Sequence, residues 1–142
     1  MKMIKSWGLL ILSLSCLIII LFIVTNSSLK IPSIESLSGQ WIGKHKNYEI
    51  MLAIKKDNKC SLELLIISSN EVEKFNGNCS IDSTKKPFSF IMSNIKELNT
   101  SLYALVASRS HNNIYMSEFS TKWRLRPVSL NDENMIIFRR NI

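Results

Sequence analysis

The side chains that could carry out catalysis are few in this 142-residue chain. Its two histidines lie in polar segments, Lys44-His45-Lys46 and Ser110-His111-Asn112. A catalytic or metal-binding histidine needs an orienting carboxylate or further ligands, and neither segment supplies one. The sequence therefore predicts two surface histidines, with no catalytic residue, no metal site and no cofactor.

Motifs of the common enzyme classes are also missing. The chain has no Gly-x-Ser-x-Gly elbow and no His-Glu-x-x-His, and its four glycines are too few and too scattered for a phosphate-binding loop. A pair of carboxylates for glycoside cleavage could still form in the folded chain from Glu63, Glu71, Glu73, Asp82 and Glu118. Because nothing in the sequence selects two of them, an enzyme that processes envelope polysaccharide is the third-ranked function.

Two cysteines, Cys60 and Cys79, lie outside the apolar N-terminal segment, which holds Cys16. Each falls in an apparent strand, and two neighbouring antiparallel strands could bring them within bridging distance. An isolated pair usually forms a disulfide in an oxidising compartment, and such a bridge stabilises by about 3 kcal/mol. The alternative is two buried free thiols. A zinc site is disfavoured because no partner histidines lie nearby.

The strongest candidate for binding is a basic segment near the C-terminus, Lys122-Trp123-Arg124-Leu125-Arg126. It alternates basic and apolar residues, which predicts a strand whose basic side chains share one face. Guanidinium groups on one face could bind carboxylate or phosphate with two hydrogen bonds each. The residues predicted to bind an anion or a partner are Lys122, Arg124, Arg126 and Arg139. The alternative is a solvated outer face.

An apolar stretch, Trp7 to Val24, decides where these residues are expected to lie. It contains 18 residues without a charge, and as a helix it would span about 27 Å, close to the hydrocarbon thickness of a bilayer. Lys2 and Lys5 precede it, which favours a cytoplasmic N-terminus. Residues 1–28 are therefore predicted to be a single-pass membrane anchor that contacts lipid through residues 7–24.

Two other interpretations of this stretch remain open. One is a cleaved secretory signal, although the run is long and Val24-Thr25-Asn26-Ser27 matches a cleavage site poorly. The other is a lipoprotein signal that ends at Cys16. All three place the rest of the chain outside the cytoplasm. The net charge is +7 for the whole chain and +5 without Lys2 and Lys5 of the anchor. This charge favours anionic lipid or polysaccharide, or simply solubility, and nucleic acid is not an expected partner.

The remaining sequence has the pattern of a small all-β domain. Residues 29–38 are predicted to be a tether and residues 39–142 the domain. The segments 48–55 and 60–66 alternate with period 2 around a polar turn, which predicts a hairpin. Further strands are predicted at 71–82, 88–92, 101–108, 114–119, 122–128 and 135–139. Seven to nine short strands with frequent turns are typical of an antiparallel meander barrel or sandwich.

The segment Gly39-Gln40-Trp41 at the start of the first strand resembles the Gly-x-Trp opening of lipocalins and related calycin barrels. The resemblance implies a small meander barrel in which Trp41 closes one end. It also implies that an arginine from a late strand, Arg124 or Arg126, packs across the tryptophan. An apolar ligand is implied only if the barrel is hollow, and a barrel this short can be filled by side chains.

Together these patterns predict a bacterial single-pass membrane protein with a periplasmic or extracellular β-domain. The expected function is that of a non-catalytic binding or assembly module of the cell envelope, with an envelope protein or polysaccharide as partner. The alternative is a lipocalin-like carrier of a small apolar ligand.

Overall fold

The computed structural model describes residues 31–108 and 110–142, and there eight antiparallel strands form a closed barrel. Each strand pairs with the next in the sequence, and β8 pairs with β1 through Trp41–Arg140 and Ile42–Arg139 to close the sheet. A short helix, α1 (Ile34–Leu37), precedes the barrel. The strands are β1 (Gly39–His45), β2 (Tyr48–Ile54), β3 (Lys59–Ile66), β4 (Glu71–Asp82), β5 (Phe88–Ile95), β6 (Thr100–Ser108), β7 (Asn113–Ser117) and β8 (Met135–Arg140).

This architecture confirms the predicted antiparallel all-β domain and selects the barrel over the sandwich. The predicted hairpin of β2 and β3 is present, with Leu52 opposite Leu62 in the interior. The predicted anchor at residues 1–28 lies outside the described residues. Within residues 31–108 and 110–142, none of the helices has the length and apolar character needed to span a membrane.

The predicted tether, residues 29–38, turns out to contain part of the folded domain. Ser33 caps α1: its hydroxyl accepts a hydrogen bond from the Ser36 backbone N–H, and the Ser36 hydroxyl accepts one from Ser33 in return. Leu37 at the end of this helix is fully buried in the core. The helix therefore packs on the barrel, with Ile34 partly buried against the same core.

Large apolar side chains occupy the interior of the barrel. The fully buried ones include Trp41, Leu52, Leu62, Phe90, Met92, Ile114, Met116, Ile136 and Phe138. Packing is tight at Gly43, where an added Cβ would lie 2.9 Å from Ile136 Cγ2 and 3.0 Å from Phe138 Cδ1. These side chains form one continuous core, as expected for an eight-stranded barrel of this size.

The two ends of the barrel differ. The first, here called the capped end, carries α1, the β2–β3 turn (residues 55–58), the β4–β5 turn (residues 83–87) and the C-terminus. The other, here called the far end, carries the β1–β2, β3–β4 and β5–β6 turns. The strand register places these two sets of turns at opposite ends of the barrel. For example, Gly39 at the start of β1 pairs with Ile54 at the end of β2.

Residues 118–134, here called the strap, connect β7 to β8. The pairing of β6 with β7 covers only residues 106–108, and a single bridge between Tyr103 and Ser120 then joins the strap to β6. The Ser117 hydroxyl lies where the ladder shifts; it accepts from the Leu105 backbone N–H at 2.8 Å and donates to the Glu118 carbonyl. It thereby supplies a partner to a buried N–H that the strand ladder leaves unpaired.

The predicted strand at residues 122–128 is wrong. These residues lie in the strap, where Trp123–Leu125 form one turn of 3-10 helix. The physical reason is that β7 pairs directly with β8, so no strand position remains between them. The strand predicted at 114–119 is also too long at its C-terminal end, because β7 ends at Ser117 and the strap follows it.

Candidate binding sites

The capped end is held by Trp41 and Arg140. The guanidinium carbon of Arg140 lies 4.3 Å from the centre of the Trp41 ring, a cation–π contact. The same guanidinium donates to the Ser38 carbonyl at 2.8 Å and to the His111 carbonyl at 3.0 Å. The Trp41 indole N–H donates to the Leu37 carbonyl at 2.8 Å. These bonds join α1, β1, the β6–β7 turn and β8 at one place.

The predicted partner of Trp41 therefore has to be corrected. Trp41 is buried near the capped end, and the arginine across it is Arg140, not Arg124 or Arg126. Arg140 lies two residues after Phe138 and shares its inward parity on the last strand, where the burial alternates. That parity is the sequence signal that could have identified it.

The strap presents the most exposed apolar side chains on the barrel wall. Leu125 is 70% exposed and Val128 81% exposed. Trp123 is fixed from two sides: its ring meets the Tyr103 ring edge-to-face at 5.4 Å, and the Arg126 guanidinium lies 4.0 Å above it. The indole is therefore held in place while part of its surface stays open to solvent.

The strap also covers the outer wall next to these residues. Leu105 lies on the outward face of β6, between the inward residues Ala104 and Val106, yet it is 0% exposed. Ser89, which pairs with Leu105 on β5, is buried as well. The strap, linked to β6 through Tyr103, accounts for this outer burial.

The four predicted binding residues lie in two places. Lys122 and Arg124 are exposed on the strap, and Arg139 is exposed on the outward face of β8. Arg126 is half-buried; its charge helps lower the pKa of Asp82, after the larger effects of Thr84 hydrogen bonds. The Arg126 Nε is buried and has no hydrogen-bond partner among the described residues. The structure thus shows no shared sheet face for these side chains.

The open clefts on the surface of the described residues include the following three. One, of about 620 Å³, runs between the strap and the outer wall and is lined by Phe88, Tyr115, Leu130 and Met135 among others. A second, of about 560 Å³, includes Arg139 beside Ile137. The third, of about 610 Å³, is polar and basic, with Lys55, Lys59, Lys74 and Lys96 along it.

A hydrogen-bonded group of polar side chains at the far end was not predicted from the sequence. Glu118 accepts hydrogen bonds from His45 Nε2 at 2.7 Å and from the Lys46 ammonium. The hydrogen bond from Lys46, followed by that from His45, lowers the pKa of Glu118. His45 therefore has an orienting carboxylate, although it lies 73 residues away and no local pattern could reveal it. Within the described residues no group of three or more metal-ligating side chains forms.

Cys60 and Cys79 are buried on neighbouring strands, as predicted, and are free thiols in this structure. A hydrogen bond between the two thiols, with burial, raises the pKa of Cys60, and the same bond lowers the pKa of Cys79. Cys79 also lies 3.6 Å from the Asn58 carbonyl. Cys79 lies two residues beyond Gly77, the β4 partner of Cys60, and the disulfide stays a prediction.

Comparison of the chain with protein-family models, with curated proteins and with solved structures finds no match.

Proposed function

We propose that this chain is a non-catalytic binding module of the cell envelope, held at the outer side of the cytoplasmic membrane by residues 7–24. Its partner is an envelope protein, which it contacts through the strap. The observation that carries this proposal is the exposed set of Trp123, Leu125 and Val128 on a segment that also exposes Lys122 and Arg124.

The composition of this surface fits protein recognition. Trp and Arg are enriched at the residues that dominate binding energy, and apolar contacts flanked by charges are the usual arrangement of an interface. Because Tyr103 and Arg126 already fix the Trp123 ring, little side-chain freedom remains to be lost on binding. The strap cations favour a partner with carboxylates around an apolar patch.

The lipocalin-like carrier is the alternative. The eight-stranded barrel and the Trp41–Arg140 contact support the calycin resemblance, since a late arginine across the tryptophan is what it implies. A carrier also requires a hollow interior, whereas bulky side chains pack tightly around Gly43. This packing favours binding on the outer surface over a ligand inside the barrel.

An acidic envelope polysaccharide is a second candidate partner. The basic cleft that contains Lys74 and Lys96 supports it, because several ammonium groups and the amide of Asn76 line one open groove. Lys74 is partly neutralised by Glu63, with which it forms an ion pair. The strap remains the preferred surface because its apolar side chains have no other explanation among the described residues.

The test compares two double variants of the full-length protein, extracted in mild detergent after crosslinking in cells. Leu125→Asp/Val128→Asp places charges on the strap, and Val72→Asp/Ile67→Asp places them on exposed apolar sites at the far end. A charge placed in the buried part of a binding surface should weaken binding of the partner at least about tenfold. The same partner protein should therefore be recovered with the wild type and the far-end variant, and be lost with the strap variant.

Equal recovery with both variants would show that the strap is not the binding surface. Recovery of bound polysaccharide that Lys74→Gln/Lys96→Gln abolishes would replace the protein partner with the second candidate.

A further inference from the structure

The chain enters the barrel at its capped end. Ile31, the first described residue, precedes α1, which the Arg140 side chain ties to β8 through the Ser38 carbonyl. The apolar stretch ends at Val24, seven residues earlier. An extended chain of that length reaches no farther than about 25 Å. If residues 7–24 lie in a bilayer, the capped end therefore stays close to its surface.

Two turns at this end carry four exposed lysines: Lys55 and Lys56 after β2, and Lys85 and Lys86 before β5. None of the four forms an ion pair with a carboxylate of the described residues. Of the carboxylates at this end, Asp57 pairs with Lys59 and Asp82 accepts hydrogen bonds from Thr84, while Glu35 on α1 is exposed. Lys86 lies 6.0 Å from the centre of the Phe88 ring, and the Lys85 charge, after the Thr84 hydrogen bonds, helps lower the pKa of Asp82. All four lysine side chains are exposed and can reach an external anion.

Charge at the far end is mixed. Exposed Glu71, Glu73 and Glu97 and half-buried Glu118 lie on or beside its turns, and so do exposed Lys44, Lys46, Lys74 and Lys96. A barrel with an excess of lysines at one end and balanced charges at the other has a preferred orientation in the field of a negatively charged surface. The lysine end is the one to which the N-terminal segment is attached.

We propose that the capped end docks on anionic lipid headgroups of the bilayer that holds the anchor, with Lys55, Lys56, Lys85 and Lys86 contacting lipid phosphates. This inference depends on the anchor of the proposed function. Juxtamembrane basic groups are attracted to anionic lipid, and the attraction decays within a Debye length. Docking fixes the barrel upright, so the far end points away from the membrane and the strap faces sideways, where a partner can reach it.

The experiment measures amide hydrogen exchange of the full-length protein in lipid nanodiscs, either of phosphatidylcholine alone or with added phosphatidylglycerol. In the anionic discs, residues 55–58 and 83–87 should exchange at least about fivefold more slowly, the effect expected of one lysine near an anionic surface. The protection should disappear in 1 M salt, which shortens the Debye length to about 3 Å. The far-end turn at residues 67–70 serves as the internal reference and should not change.

A matched pair of variants tests the lysines themselves. Lys55→Gln/Lys56→Gln/Lys85→Gln should remove most of the protection, whereas Lys44→Gln/Lys46→Gln/Lys122→Gln, which removes the same charge outside the capped end and its cleft, should retain it. Equal exchange in both lipids, with the protein integrated in the disc, would overturn the docking and leave the anchor and the strap untouched. A chain that alkaline carbonate extracts from membranes would overturn the anchor, and the docking with it.

Discussion

Arg140 joins three segments of the chain that are far apart in the sequence. Its guanidinium lies over the Trp41 ring and donates to backbone carbonyls of Ser38 and His111. A planar group with donors along its edges can stack and hydrogen-bond at the same time, which the point charge of a lysine cannot do. One side chain thereby links β8 to the residue after α1 and to the β6–β7 turn at the capped end.

Replacing Arg140 by lysine should therefore destabilise the domain while keeping the charge. Loss of the stacking and of at least one carbonyl hydrogen bond is expected to lower the free energy of unfolding by about 1–3 kcal/mol. Urea unfolding of the full-length protein in detergent, followed by circular dichroism, measures the change.

Arg139→Lys is the control, because the neighbouring arginine points outward from the same strand and is exposed. It should change the free energy of unfolding by less than about 0.5 kcal/mol. Equal effects of the two substitutions would show that the contacts of Arg140 contribute nothing beyond charge.

At the scale of one element, the strap takes the place that the sequence assigned to a strand. The alternation of Lys122 to Arg126 is real, but it does not separate a buried face from an exposed one, because Leu125 is 70% exposed and Arg126 is half-buried over the Trp123 ring. A 3-10 turn repeats every three residues, so residues two apart do not share a face there as they do in a strand. The departure begins at Ser117, whose hydroxyl replaces a ladder bond.

Ser117→Ala should consequently disturb the point where the strap leaves the barrel. Leu105 is fully buried, and its backbone N–H would lose its acceptor. A buried N–H without a partner lowers the free energy of unfolding by about 1–3 kcal/mol. Urea unfolding should show that loss of stability, and amide exchange at Leu105 should become faster. Ser61→Ala, on the outward face of β3, is the control and should be close to neutral. A stable Ser117→Ala variant with a protected Leu105 amide would contradict this role.

At the scale of the whole molecule, the compartment of the domain can be determined from its cysteines. Cys60 and Cys79 are buried diagonal neighbours on β3 and β4, since Cys79 lies two residues beyond Gly77, the partner of Cys60. Full-length protein from the membrane fraction, alkylated without reductant, should show a mass that corresponds to one disulfide. Cys79→Ser should lose the bridge and about 3 kcal/mol of the free energy of unfolding.

The matching control is Cys16→Ser, which removes the thiol of the apolar stretch and should leave the bridge intact. Reduced thiols at both positions in freshly isolated protein would argue against export of the domain.

The sequence by itself determined the class of fold and most strands, because period-2 alternation in β2 and β3 and turn residues between them are local properties. It also singled out Trp41, which is buried near the capped end. Only the tertiary structure decided that Arg140 is its partner, that Glu118 reaches His45, and that residues 122–128 lie outside the sheet. These outcomes depend on how eight strands are staggered when the sheet closes, and the stagger brings together residues whose separation in the sequence carries no signal.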